Sequence, residues 1–260
     1  MTIDLLTAAD TNLAIHATWV PERLAGGRVR VHDDLVLADS GLPCDTFNFI
    51  CRARLESGSA AKRVGEALRF FAESGNPFSW WLGPGFTPAN LPAVLKVAGL
   101  NEAETELAMA VELAKLPELP AIPALEIRRI TTPVDLDALA TLSAANWNPP
   151  DRHVVSFYRQ AAPFLLRGDS PQWFYLGLME GAPVATTELT VGGGVVGLYN
   201  ISTRPEFRGR GIGSAMTQAP LLAARQAGHK VGILQASGAG VGVYKRMGFE
   251  EFGTVTEYKP

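Results

Sequence analysis

The chain has 260 residues, 47% hydrophobic and 19% charged, enough to bury one large core or two modest ones. Its formal net charge of −3 says little by itself, but neither half has the mixed aromatic and basic stripe of a nucleic-acid groove. No apolar stretch approaches the ~18 residues needed to span a bilayer, and the opening MTIDLLTAADTNLAIHATWV carries acids where a secretion signal would carry base, so a cytoplasmic protein with no membrane partner is expected.

In the first half, strands are predicted near 27–38 and 46–54, a helix across 59–74, a strand over PFSWWLG, a helix over 88–97 and a strand across 103–112. The two cysteines, Cys44 and Cys51, fall in CDTFNFIC. Read as a strand, that stretch puts them on opposite faces roughly 23 Å apart, too far to bridge, and both are expected as buried thiols. Next comes KLPELPAIPAL, where Pro117, Pro120 and Pro123 recur every third residue and favour an extended, semi-rigid connector. Domains of residues 1–116 and 125–260, joined by a linker at 117–124, are therefore expected.

The second half predicts a strand at Leu125–Ile130, helices over about 134–146 and 153–166, and the strands WFYLGLM, VATTELTV and VVGLYNIST. A glycine-rich segment follows with its helix to about Gln226, then the strand VGILQAS, a short helix and a closing strand. The class is α/β, a mixed sheet with a largely antiparallel centre. The halves differ in charge, with 10 basic and 15 acidic residues in 1–120 against 13 and 11 in 121–260, so the basic surplus lies where a small anionic ligand would be held. An internal repeat is also visible: LKVAGLNE (95–102) aligns without gaps on YKRMGFEE (244–251) at an offset of 149. The first half has no counterpart of RGRGIG, and Leu95 stands where Tyr244 stands.

The segment RPEFRGRGIGSAM, residues 204–216, carries the chemistry. The first free amides of a helix point outward with the positive end of its dipole, and glycines let a bulky anion approach the backbone, so the segment reads as a pyrophosphate cradle. It runs into a helix whose apolar positions Ile212, Ala215, Met216, Ala219 and Leu222 are expected to face a core, with Pro220 expected to kink it. The Walker pattern is absent. The Rossmann GxGxxG is unmatched too, and VGILQAS holds no acid for a ribose, which disfavours nicotinamide chemistry. The histidines His16, His32, His153 and His229 show no partner spacing for a metal or a triad, so no metal is expected.

These residues resemble the GCN5-related N-acetyltransferases (GNAT). The acyl-CoA loop of that family, [RQ]xxGx[GA], is matched by Arg208-Gly209-Arg210-Gly211-Ile212-Gly213, and its YxxxGF helix by LQASGAGVGVYKRMGF, about 30 residues on. The resemblance is clear over 170–260; with the proline linker and the repeat it implies two tandem GNAT-fold domains, the N-terminal copy degenerate. It implies that backbone at Ile201 and Thr203 pairs with the pantetheine arm of acetyl-CoA, with Ser202 between them also a cofactor contact, and that the amides from Gly209 through Ser214 hold its pyrophosphate. Arg208 and Arg210 either touch phosphate or are solvated. Ser237 is a cofactor contact or a helix cap.

The implied reaction is direct attack of an amine on a thioester. Tyr244 is then the candidate acid for the departing thiolate, and Glu188 in VATTELTV the candidate base, facing either the cleft or solvent. The acceptor would be a small-molecule or peptide amine. A CoA-binding sensor without catalysis is the alternative, and a nucleotide-dependent enzyme of another kind is a third. The equivalent first-half surface, near Gly83 to Thr87, is expected to bind no CoA. Phe47, Phe49, Trp80, Trp81, Trp147 and Trp173 are either core or an acceptor pocket, and NWNPPDRH (146–153) is expected as a loop over the acceptor.

Overall fold

The computed structural model describes residues 3–260. The chain forms two compact units: the first takes the residues up to Ala108 together with Phe252–Pro260, the second takes Met109–Glu251. This differs from a division that assigns all of 125–260 to one domain.

The first unit opens with α1 (Leu5–Thr18), which sequence patterning missed because apolar residues ring it almost evenly. Asp4 caps it, accepting from the Leu6 amide at 3.1 Å and the Thr7 hydroxyl at 2.6 Å. The expected strand 27–38 is a hairpin of β1 (Arg28–Val31) and β2 (Val36–Asp39). The stretch CDTFNFIC is not one strand: Cys44 precedes a 3-10 turn at Asp45–Phe47, and only Phe49–Cys51 form β3. Asn48 makes the break, its Oδ1 accepting from the Ser40 amide at 2.8 Å and its Nδ2 donating to the carbonyls of Leu42 and Pro77 at 2.9 and 2.7 Å. Both cysteines are buried and free. Then follow α2 (Ala60–Ala72), β4 (Ser79–Leu82), α3 (Leu91–Val97) and β5 (Asn101–Glu112). Val64, Ala67, Phe70 and Phe71, on one face of α2, pack in one core with Leu37, Ile50 and Trp80 of the sheet.

The second unit carries β6 (Leu125–Arg129), α4 (Pro133–Ala144), α5 (Arg152–Leu165), β7 (Gln172–Met179), β8 (Ala182–Gly192), β9 (Val195–Thr203), α6 (Ile212–Gln226), β10 (Val231–Ala236) and α7 (Val241–Arg246). The closing strand β11 (Glu250–Lys259) contributes its residues from Phe252 to the first unit, where Thr256, Glu257 and Tyr258 pair with Leu82, Trp81 and Trp80. Strand order is β1-β2-β3-β4-β11-β5 in the first unit and β5-β10-β9-β8-β7-β6 in the second, with β5 giving residues to each.

In the second unit β6 to β9 form an antiparallel meander, and α6 crosses from β9 to a parallel β10. The first unit repeats that crossover, with α2 joining β3 to a parallel β4. The aligned octapeptides lie beyond both crossovers and end the next helix of each unit alike. Gly99 (φ 93°) and Gly248 (φ 85°) follow the helices α3 and α7; the Leu100 amide bonds the Leu95 carbonyl, and the Phe249 amide bonds the Tyr244 carbonyl, both at 3.0 Å. By this topology the first-unit equivalent of the glycine-rich loop is the segment between β3 and α2, residues 52–59, and not Gly83–Thr87.

The proline-rich segment is docked within the second unit. Ile122 packs with Tyr175, Val184, Ile212 and Met216, and the Gln218 side chain donates to the Pro117 carbonyl. Among the described residues no helix is long and apolar enough to cross a membrane, and no group of His, Cys, Asp or Glu is arranged to hold a metal ion.

Candidate active site in the second unit

The ladder between β9 and β10 runs from Val196↔Gly232 to Leu198↔Leu234 and stops, while β9 continues to Thr203. Its backbone on that side, at Ile201 and Thr203, has no strand opposite it, since the Arg204 amide bonds the Val184 carbonyl of β8 and Ser202, two residues back, faces β8 as well. On the other side β9 pairs with β8, Glu188 opposite Tyr199 and Thr186 opposite Ser202, with a bulge between them. Asn200 sits in that bulge at φ 49°, a left-handed conformation that Asn tolerates better than most residues.

The chain leaves β9 through a 3-10 turn at Pro205–Phe207 and reaches α6 with Gly209 at φ 74° and Gly211 at φ 79°. Gly211 is the N-cap and no side chain caps the helix; the first turn closes with the Ala215 amide on the Gly211 carbonyl at 3.1 Å. The amides of Ile212, Gly213 and Ser214 are therefore the open end of the dipole. Gly213 needs no left-handed φ, and a Cβ built on it would meet nothing closer than Thr203 Oγ1 at 4.0 Å. Nothing in the unit itself demands a glycine there. Its bareness leaves room for a bulky anion against these amides, and the loop fits the pyrophosphate of an acyl-CoA in that respect.

Arg208 turns back to donate from Nε to the Thr203 carbonyl at 2.9 Å, which engages one of the β9 groups assigned to the pantetheine arm. Arg210 lies over Phe207, 5.3 Å from the ring centroid. The Ser202 hydroxyl donates to Asn146 Oδ1 at 3.0 Å, tying β9 to the α4–α5 loop. Of NWNPPDRH, the residues up to Asp151 form that loop and Arg152 and His153 already begin α5; Trp147 is 41% exposed.

The buried face of α6 is rotated from the predicted one: Ile212, Met216, Thr217, Pro220, Leu221 and Ala224 are inside, whereas Ala215, Ala219 and Leu222 are half-buried. The helix continues through Pro220. Proline has no N–H for the carbonyl four residues back, that of Met216, and the Thr187 hydroxyl on β8 donates to it at 3.0 Å.

Glu188 does not face solvent; it is 4% exposed. Tyr158 on α5 donates its hydroxyl to Glu188 Oε1 in a short hydrogen bond, and the Asn200 side chain donates to the same carboxylate. Burial pushes its carboxyl up to about 7, against the pull of the two hydrogen bonds. A group so tuned exchanges a proton near neutral pH. Tyr158 and Asn200 were missed in the sequence. Tyr158 reads there as one of the apolar stripe Val154, Phe157, Tyr158, Ala161 and Leu165, and Asn200 gains its role only from the bulge.

Tyr244 is half-buried on α7, its ring 5.8 Å from Phe249 and edge-on to it. It packs so closely on Gly240 that a Cβ there would fall 2.8 Å from the ring. Ser237 is not the cap of α7. Gly240 is, and Ser237 serves through its carbonyl, which accepts from Gly240 and Val241 at 2.8 and 3.2 Å. Of the aromatics, Phe47, Phe49 and Trp80 are buried core, Trp81 and Trp173 are half-buried, and Trp173 carries Arg129 4.4 Å above its ring.

The sequence model of the acetyltransferase (GNAT) domain matches residues 171–251, the part that holds this site. No curated protein sequence matches the chain. Among solved structures it is similar to a GCN5-related N-acetyltransferase from Kribbella flavida, 20% identical, TM-score 0.72, covering 98% of this chain and 95% of that one. A GCN5-related N-acetyltransferase from Sphaerobacter thermophilus is 16% identical at TM-score 0.59, covering 89% and 81%. A tandem GNAT protein from the clavulanic acid biosynthesis pathway is 14% identical at TM-score 0.60, covering 99% and 95%. The chain thus has the GNAT fold along nearly its whole length, and its residues 171–251 match the sequence model of the GNAT domain.

Proposed function

We propose that this chain transfers an acetyl or similar short acyl group from acyl-CoA to the primary amine of a small-molecule or peptide acceptor, in the cytoplasm. The observation that carries the reading is the uncapped N-terminus of α6, entered through left-handed Gly209 and Gly211 and bare at Gly213, inside the stretch that matches the family. The amides from Gly209 through Ser214 would hold the pyrophosphate, and the free edge of β9 at Ile201 and Thr203 the pantetheine arm. When bound, acyl-CoA supplies the activated thioester.

Glu188 takes the proton of the acceptor amine, directly or through water, and Tyr244 gives its proton to the departing sulfur. The buried, hydrogen-bonded setting of Glu188 supports the first role. The ring of Tyr244, fixed by Gly240 and Phe249, supports the second. The α4–α5 loop, tied to β9 through Asn146, is the element proposed to cover the acceptor.

Thiol release from acetyl-CoA with a panel of primary amines tests the reading. Amine-dependent turnover is expected, falling by roughly 10² to 10⁴ in Tyr244→Phe with acetyl-CoA affinity within a few fold. Tight binding with no turnover across the panel would favour the sensor instead.

A further inference from the structure

In the first unit a cavity of about 250 Å³ opens between α1 and the chain leaving β3, lined by Thr7, Asp10, Thr11, Asp33, Arg52 and Arg54. It contains a concentration of unmet polar demand. Arg52 Nε, Arg54 Nη1 and Asp10 Oδ2 are buried atoms without a hydrogen-bond partner, and buried polar groups are ordinarily satisfied. Asp10 is 4% exposed, and its Oδ2 lies 2.5 Å from Arg54 Nη2, an ion pair without the alignment of a hydrogen bond.

The arrangement is built. Arg52 holds φ 55° and donates from Nη2 to the His32 carbonyl, which fixes its guanidinium. Gly83 and Gly85 make room for the pair, since a Cβ on the first would fall 2.1 Å from Asp10 Oδ1 and on the second 2.3 Å from Arg54 Nη2. The residues sit just past the carboxyl end of β3, which pairs in parallel with β4, the end at which parallel sheets bind ligands.

The charges say what would fit. Two guanidinium donors, on Arg52 and Arg54, want a planar acceptor such as a carboxylate. A bare anion would also meet Asp10. Asp33, exposed on the lining, makes no ion pair among the described residues and adds a second negative charge. A ligand that carries a cation beside its carboxylate answers both. We propose that this cavity binds the zwitterionic backbone of a free α-amino acid, with its carboxylate on Arg52 and Arg54 and its ammonium on Asp10 and Asp33.

The test is calorimetry of the full chain with the common L-amino acids. At least one is expected to saturate with Kd of about 1 mM or tighter, and the carboxylic acid and the amine that each lack one of its two groups should bind at least about tenfold more weakly. Arg52→Gln should weaken the best amino acid by about tenfold or more and Asp33→Asn several-fold, and the Arg52 Nε–H resonance of the unmodified chain should shift on titration. No saturable binding, equal binding of the simple carboxylate, or an unmoved Arg52 resonance would overturn the proposal. If Arg52→Gln does not fold, Asp33→Asn and the resonance decide it.

Discussion

The Thr187 hydroxyl on β8 supplies the hydrogen bond that Pro220 removes from α6, donating at 3.0 Å to the Met216 carbonyl and sharing its proton with the Thr186 carbonyl at 2.9 Å. Thr187 is fully buried, and so is Met216, whose sulfur lies 2.7 Å from where a Cβ on Gly177 would stand. The helix that presents its N-terminus to the site is thus pinned to the sheet by a bond that exists because of the proline. Thr187→Val should orphan the carbonyl and cost about 1–3 kcal/mol in urea denaturation. In a Pro220→Ala background, where the alanine N–H can donate within the helix, the same change should cost under about 1 kcal/mol. Equal cost in both backgrounds would show that the Thr187–Met216 bond carries none of it.

Gly213 and Gly211 separate ligand contact from backbone strain. Gly213 is helical with open space around it, so Gly213→Val should leave the fold intact and weaken acetyl-CoA binding by about tenfold or more. Gly211→Val at φ 79° should weaken binding and also lower stability. Calorimetry beside thermal melts reads both; unchanged affinity in a folded Gly213→Val chain would remove this turn from the donor site.

Glu188 sets the expected pH dependence. Its carboxyl must lose a proton to act as a base, so kcat/KM should rise with pH through about 7, and Glu188→Gln should abolish that limb. Tyr158 stabilises the ionised form, so Tyr158→Phe should move the limb to higher pH. A limb that stays in place would leave Tyr158 a packing residue. The effect on stability has the opposite sign to that of an ordinary salt-bridged acid: ionising Glu188 costs the folded state, so this group favours folding fully below its unfolded pKa of about 4.3 and loses that contribution as pH rises through about 7.

The second unit was legible because its strands are apolar and β-branched runs bounded by turn residues, its helices carry caps such as Thr132 and Asp151, and RGRGIG has few physical uses. The first unit was less so. α1 lacks a polar face, and the Asn48 turn that breaks CDTFNFIC depends on the carbonyl of Pro77, far off in sequence. Within the site, the loop and Tyr244 could be named from local pattern. The partners of Glu188 and of the Met216 carbonyl could not, since Tyr158 and Thr187 meet them only after α5 and α6 pack on the sheet. The octapeptide repeat had a local cause that survives in both copies, a helix ended by a left-handed glycine and a buried apolar residue.

The central claim is that the open N-terminus of α6 is where this chain holds its acyl donor. Titration of the ¹⁵N-labelled chain with acetyl-CoA tests it most directly, by mapping which backbone amides respond. The account predicts that the largest shifts fall on Gly209 through Ser214, followed by Ile201 and Thr203 on the free edge of β9. Shifts concentrated elsewhere, or none at saturating acetyl-CoA, would contradict it.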